Sequence, residues 1–117
     1  MYDEIILDHY KHPRNFGTVV RPTTTCHVNN PLCGDKINMT ARIEKGVIQE
    51  VKFEAEGCAI SIASASLLSE YLQGTSIADL RKLDSSFILK LLNIELSPNR
   101  LKCALLPLEA AQKLQNT

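Results

Sequence analysis

Cys33, Asp35, Cys58 and Cys103 are side chains of the types that hold zinc, since thiolate sulfur and carboxylate oxygen both bind it in tetrahedral sites. Cys33 and Cys58 stand 25 positions apart and no local C-x-x-C pair is present. Spacing alone therefore leaves two readings open, a shared metal site or separate cysteines buried as small hydrophobes. Gly34 and Gly57 flank the first candidates and permit backbone conformations that other residues resist. Asp35 could equally form a turn, because Cys-Gly-Asp is good turn chemistry. Cys103 lies among Arg100 and Lys102, whose charges favour a thiolate and offset a site rich in negative ligands. Lys102 itself is expected to act by charge, because an ammonium has no lone pair to offer a metal. Cys26, in a Thr-rich extended stretch, reads as a structural strand residue. His9, His12 and His27 read as hydrogen-bonded or surface residues rather than primary ligands.

The elements that must position these groups follow from periodicity. Lys36 to Glu44 alternates with Ile37, Met39, Ala41 and Ile43 on one face, which predicts a half-buried strand. Val47, Val51, Phe53 and Ala55 form the apolar face of the next strand, with Ile48 and Gln49 as exceptions. Parity favours a three-residue loop containing Gly46, which pairs Ile43 with Val47, Met39 with Val51 and Ile37 with Phe53. Carried to the open end, this register sets Asp35 opposite Ala55 and Cys33 opposite Gly57, and so brings Cys33 and Asp35 beside Cys58.

Tyr2 to Tyr10 predicts a short helix with Ile5, Ile6 and Leu7 towards the core, ended by the segment containing Pro13 and Gly17. Residues 18 to 32 read as extended or irregular. Ala59 to Leu72 predicts a helix with Ile60, Ala63, Leu67 and Tyr71 near one face, and small residues that allow close approach. Cys58 stands just before it, where free amides and the helix dipole favour negative charge. Ser76 caps a helix through Leu83, Asp84 or Ser85 another to about Leu92, and Ser97-Pro98 opens a last one. Pro107 predicts a kink or restart in that helix.

The chain has 117 residues, 44% of them hydrophobic, and no internal repeat, which fits one domain over residues 1–117. Thirteen basic and thirteen acidic side chains are interspersed, against nucleic-acid binding, which needs a basic stripe. Serines and Glu70 break the longest apolar stretch, against a membrane span. The N-terminus carries acidic residues where an export signal needs basic ones, so a cytoplasmic, reducing location is expected, with thiols rather than disulfides.

Several motifs in order resemble the IscU/NifU/SufU iron-sulfur cluster assembly scaffolds: Asp8-His9-Tyr10 with Pro13-Arg14-Asn15 and Gly17, Asn30-Pro31-Leu32-Cys33-Gly34-Asp35, Gly57-Cys58-Ala59-Ile60-Ser61, Ala63-Ser64-Ala65-Ser66, and Lys102-Cys103-Ala104. The resemblance implies an α+β fold, a three-stranded antiparallel sheet with helices packed on it, and the site at one end. It implies that Cys33, Cys58 and Cys103 receive sulfur from a cysteine desulfurase and, with Asp35, hold zinc or a transient two-iron two-sulfur cluster. An iron donor and apo-protein cluster acceptors are the further partners implied.

Two subtypes compete within that resemblance. IscU proteins carry His before the third cysteine and an upstream Leu-Pro-Pro-Val-Lys segment recognised by a specialised Hsp70 chaperone. Here Leu96-Ser-Pro-Asn-Arg100, Leu101 and Lys102 stand instead, which weakens the expectation of that partner. Lys102-Cys103-Ala104 and Cys58-Ala-Ile-Ser61 look more like SufU, a zinc-dependent sulfur acceptor, yet the SufU insertion of about twenty residues before the third cysteine is absent, in a loop that tolerates length changes. The leading expectation is a non-enzymatic scaffold. The alternatives are a sulfurtransferase in which Cys33 or Cys103 accepts persulfide sulfur, and a purely structural zinc domain.

Overall fold

The computed structural model describes residues 4–31 and 34–114. Strands β1 (Thr24–Asn30), β2 (Asp35–Glu44) and β3 (Val47–Glu56) form one antiparallel sheet in the order β1-β2-β3. The alternation read in β2 holds, with Ile37, Met39, Ala41 and Ile43 buried. Asp35 falls in the same phase and is buried at the end of that apolar face. β1 occupies part of the stretch expected to be extended, and its Cys26 pairs with Met39. Burial pushes the Cys26 thiol up, as expected of a structural strand residue.

The hairpin register differs from expectation. β2 and β3 join through a two-residue turn that pairs Glu44 with Val47, and both Lys45 (φ 52°) and Gly46 (φ 75°) lie in the left-handed region. Such a turn matches strand twist. A bulge then restores the match of apolar faces: Ile43 pairs with Ile48 and Arg42 with Glu50, leaving Gln49 as the extra residue. Beyond it Ala41 faces Val51, Met39 faces Phe53 and Ile37 faces Ala55, two positions from the expected register. The shift is held from outside the hairpin. Ile48 donates to Thr75 O at 2.9 Å and accepts from Gly74 at 2.8 Å, which turns Ile48 inward. The expected Cys33–Gly57 pairing lies outside the described residues.

The described residues form five helices, α1 (Glu4–Lys11), α2 (Ala59–Leu72), α3 (Ile77–Arg81), α4 (Ser85–Leu92) and α5 (Pro98–Gln112), of which α2 and α5 pack on the sheet while α1 and α4 pack on α2, and α3 and α4 on α5. Their starts follow local chemistry. Ser76, Asp84 and Ser97 each accept a hydrogen bond from a backbone amide in the first turn of α3, α4 and α5. α5 runs through Pro107 as one helix, so of the kink or restart expected there the restart does not occur, although the proline cannot donate to the Cys103 carbonyl. α2 is not one-sided as its sequence suggested. Ile60, Ala63, Leu68 and Leu72 are buried together with Ser61, Ser64, Ser66 and Ser69, whereas Leu67 is half-buried and Tyr71 is exposed. Small side chains let neighbours close in on several sides, and the Ser64 hydroxyl donates to Ala104 O of α5 at 2.7 Å.

Ile5 and Leu7 are exposed and only Ile6 of that triplet is buried, which corrects the reading of α1. The other buried residue of α1 is His9, one turn along from Ile6. Its Nδ1 lies 2.7 Å from Ser66 Oγ, which also accepts the Arg14 amide at 2.8 Å. A hydroxyl has two lone pairs and one proton, so Ser66 can accept from both Arg14 N and His9 Nδ1 or donate to the latter, while His9 Nε2 lies 3.6 Å from Glu70 Oε1. Arg14 further pairs with Asp8 at 2.6 Å, which holds the Asp8 carboxyl below the usual carboxylate range. Asn15 O accepts from Phe53 at 3.0 Å, so the same segment ties α1 to α2 and to β3.

Burial, aided by the nearby Arg14 charge, lowers the affinity of His9 for a proton. The unfolded chain thus binds that proton more readily. The His9 contribution to stability is complete above about pH 6.5 and is lost as pH falls below it. In metal-free protein, denaturant midpoints should fall between about pH 7.5 and about pH 5.5, and His9→Gln should flatten that dependence. A His9→Gln profile parallel to wild type would remove His9 as the cause.

Candidate metal centre

Asp35 reaches the site from the start of β2, Cys58 from the residue before α2 and Cys103 from the second turn of α5. One ligand atom from each lies within 4.8 Å of the other two, the spacing at which a single ion could be shared. Cys33 lies outside the described residues. Gly34 N, just before Asp35, donates to Asn30 O at 2.8 Å.

The two carboxylate oxygens of Asp35 have different surroundings. Oδ1 accepts the Cys58 backbone amide at 3.0 Å, which fixes the entry to α2 against the sheet. Oδ2 is buried and has no hydrogen-bond partner among the described residues. A buried carboxylate oxygen without a donor is costly, and it points to a ligand at that place. With the two cysteine sulfurs near this carboxylate, the donor set fits zinc or iron with its sulfide, and the residues present meet the chemistry of such a group. Gly57 is what admits this packing. A Cβ built there would overlap Asp35 Oδ1 and stand 2.8 Å from its Cγ.

These residues line a cavity of about 320 Å³, completed by Asn99 and Arg100 at the start of α5. Arg100 brings a permanent positive charge to a site of thiols and a carboxylate, as its place near Cys103 suggested. Asn99 was not singled out from sequence. Its signal was its position four residues before Cys103, which puts both on one helix face. Lys102 is exposed and lines a neighbouring groove with Asn29, Asn30, Pro31, Leu105, Leu106 and Glu109 rather than this cavity. His9 is committed to Ser66, and His27 Nδ1 pairs with Asn38 Oδ1 on the exposed face of the sheet, so neither belongs to the donor set.

Comparison with known proteins agrees with the fold. The chain is 34% identical to the zinc-dependent sulfurtransferase SufU of Bacillus subtilis, over 97% of this chain and 88% of that protein. It is 33% identical to the iron-sulfur cluster assembly scaffold protein IscU of Haemophilus influenzae, over 93% and 88% of the two chains. It is 39% identical to the mitochondrial iron sulfur cluster assembly protein 1 of Yarrowia lipolytica, over 93% of this chain but only 61% of that one. Among solved structures, FiSufU of Fervidobacterium islandicum, assigned to the SUF system as a cluster assembly scaffold, superposes with a TM-score of 0.83, at 26% identity over 97% and 95% of the two chains. The profile of the NifU-like N-terminal domain matches residues 1–115, and the chain belongs to that family.

Proposed function

We propose that this chain is a scaffold for the assembly and transfer of iron-sulfur clusters, taking its sulfur from a cysteine desulfurase. The observation that carries this reading is the convergence of Asp35, Cys58 and Cys103, with Asp35 Oδ2 buried and without a hydrogen-bond partner among the described residues. A scaffold must hold its cargo firmly enough to build it and loosely enough to release it. Cys58 and Cys103 supply sulfur ligands from two different helices, and Asp35 adds an oxygen that binds a sulfur-loving metal less tightly than a third thiolate would. Cys33 is proposed as the remaining thiol. When zinc occupies the site instead, it keeps the thiolates ordered and unoxidised until sulfur arrives.

Sulfur delivery needs a thiolate and an open approach. A thiolate of Cys33 or Cys103 attacks the outer sulfur of the desulfurase persulfide, a new S–S bond forms here, and the desulfurase cysteine leaves as thiolate. No outside oxidant is required. Arg100, at the cavity, offsets the negative charge that accumulates. A reducing, cytoplasmic setting suits these thiols, and iron donor and apo-protein acceptors complete the proposed partners. The second reading, a SufU-type sulfurtransferase, is favoured by Lys102-Cys103-Ala104 and by the likeness to the Bacillus subtilis protein.

Anaerobic reconstitution with ferrous iron, cysteine and a desulfurase distinguishes them. Visible cluster absorbance with iron and sulfide in stoichiometric amounts is the expected result. Zinc that resists replacement, together with faster desulfurase turnover, would give the sulfurtransferase reading precedence. A chain that gains neither cluster nor zinc would refute both.

A further inference from the structure

Ser61 stands beside the candidate site without belonging to its donor set. It is fully buried in the first turn of α2, three residues after Cys58. Its hydroxyl donates to Cys58 O at 3.1 Å, and the Cys58 sulfur lies 4.0 Å from Ser61 Oγ. The carbonyl does not depend on the serine, since Ile62 N also donates to it at 3.2 Å. A hydroxyl has one proton and two lone pairs, and turning about its C–O bond redirects the proton. Beside a protonated Cys58 it can accept from the thiol while donating to the carbonyl. Once Cys58 ligates a metal, its sulfur has no proton and becomes an acceptor, and the serine proton can turn to it.

We infer that Ser61 is a positioning residue for Cys58, donating a hydrogen bond to its sulfur when that sulfur is a ligand. The proposal rests on the metal-site reading above. Cys58 is then held at both ends, its amide by Asp35 Oδ1 and its sulfur by the Ser61 hydroxyl. Partners of this kind orient a ligand and withdraw electron density from it, and their loss typically costs about 10-fold to 100-fold in metal affinity. The carboxylate and the hydroxyl come from different elements, one from β2 and one from α2. Neither can be replaced by the other.

Cobalt(II) substitution reads this directly, because its sulfur-to-metal charge-transfer band reports electron density on the ligating sulfur. Ser61→Ala removes one atom and installs a good helix former, so the fold is retained. The expected result is a charge-transfer band at lower energy than in wild type and cobalt binding weakened by about 10-fold. Ser64→Ala is the control, since it deletes another buried hydroxyl of α2, one bonded to Ala104 O. It should lower the melting temperature and leave the band in place. Ser61→Thr, which keeps the hydroxyl, should also retain the wild-type band. A Ser61→Ala band coincident with wild type, or a Ser61→Thr band displaced like that of alanine, would overturn the role of Ser61 while leaving the metal site standing. Absence of cobalt–thiolate absorbance in the wild-type protein would overturn both.

Discussion

Gly57→Ala is expected to lower zinc affinity by more than about 100-fold, a larger effect than loss of a group that merely supports a ligand. Two causes act together. Gly57 has φ +148°, a conformation that L side chains rarely adopt, and the added Cβ overlaps Asp35 Oδ1. The strain alone costs on the order of 1–3 kcal/mol. Asp35 is nearly inaccessible to solvent and is anchored at the edge of the core, so its carboxylate cannot swing aside without breaking its bond to Cys58 N. Gly74→Ala separates strain from site damage. Gly74 also has positive φ (+80°) but no atom within 4 Å of the built Cβ, and it lies at the far end of α2. It should lose stability and keep its metal. Isothermal titration with zinc alongside thermal melting reads both quantities, and a Gly57→Ala protein binding zinc like wild type would refute the packing argument.

The features legible in sequence were those fixed by neighbours in the chain. α2 begins and ends where its pattern placed it, Ser76, Asp84 and Ser97 cap the helices they were expected to cap, and β2 alternates as read. The hairpin register was not legible, because two arrangements satisfy the same parity: a three-residue loop with its bulge at Gly46, or a two-residue turn with a bulge further along the strand. The choice is made by Gly74 and Thr75, which hold Ile48 from outside the hairpin. Ile5, Ile6 and Leu7 are adjacent and point in different directions, so composition could not say which one enters the core. Only the packing of α1 on the serines of α2 selects Ile6 and His9.

The candidate site was legible for a partly different reason from the one first given. The expected register set Asp35 against Ala55, and the observed packing sets it against Gly57 and the Cys58 amide instead. A shift of two residues preserves the face, so Asp35 and Cys58 still converge. The buried phase of β2, extended one step beyond Ile37, already places Asp35 among core positions. That is the stronger sequence signal, since a carboxylate at a core position needs a partner. Cys103 had no such signal. It reaches the site through the packing of α5 on α2 and the sheet, a long-range contact that only the family resemblance anticipated.

Asp35→Ala should also lower zinc affinity by more than about 100-fold, while Lys102→Ala should change it by less than about threefold. The contrast follows from what each side chain can offer a metal. Asp35 converges with Cys58 and Cys103, and its Oδ2 is buried with no partner among the described residues, so it has a lone pair to give and a desolvation cost to recover. Lys102 is exposed and lines the adjacent groove with Glu109, and an ammonium has no lone pair to offer a metal. Its charge acts on the site only from a distance, through solvent that screens it. Cys103→Ser supplies the scale for a lost ligand, because the alcohol at that buried position does not ionise and is a poor ligand for zinc. Competition titrations with a chromophoric chelator at neutral pH rank the three. Asp35→Ala should fall near Cys103→Ser, and Lys102→Ala near wild type. The reverse order would make the lysine a ligand, which would require it to lose its proton and leave the groove it now lines.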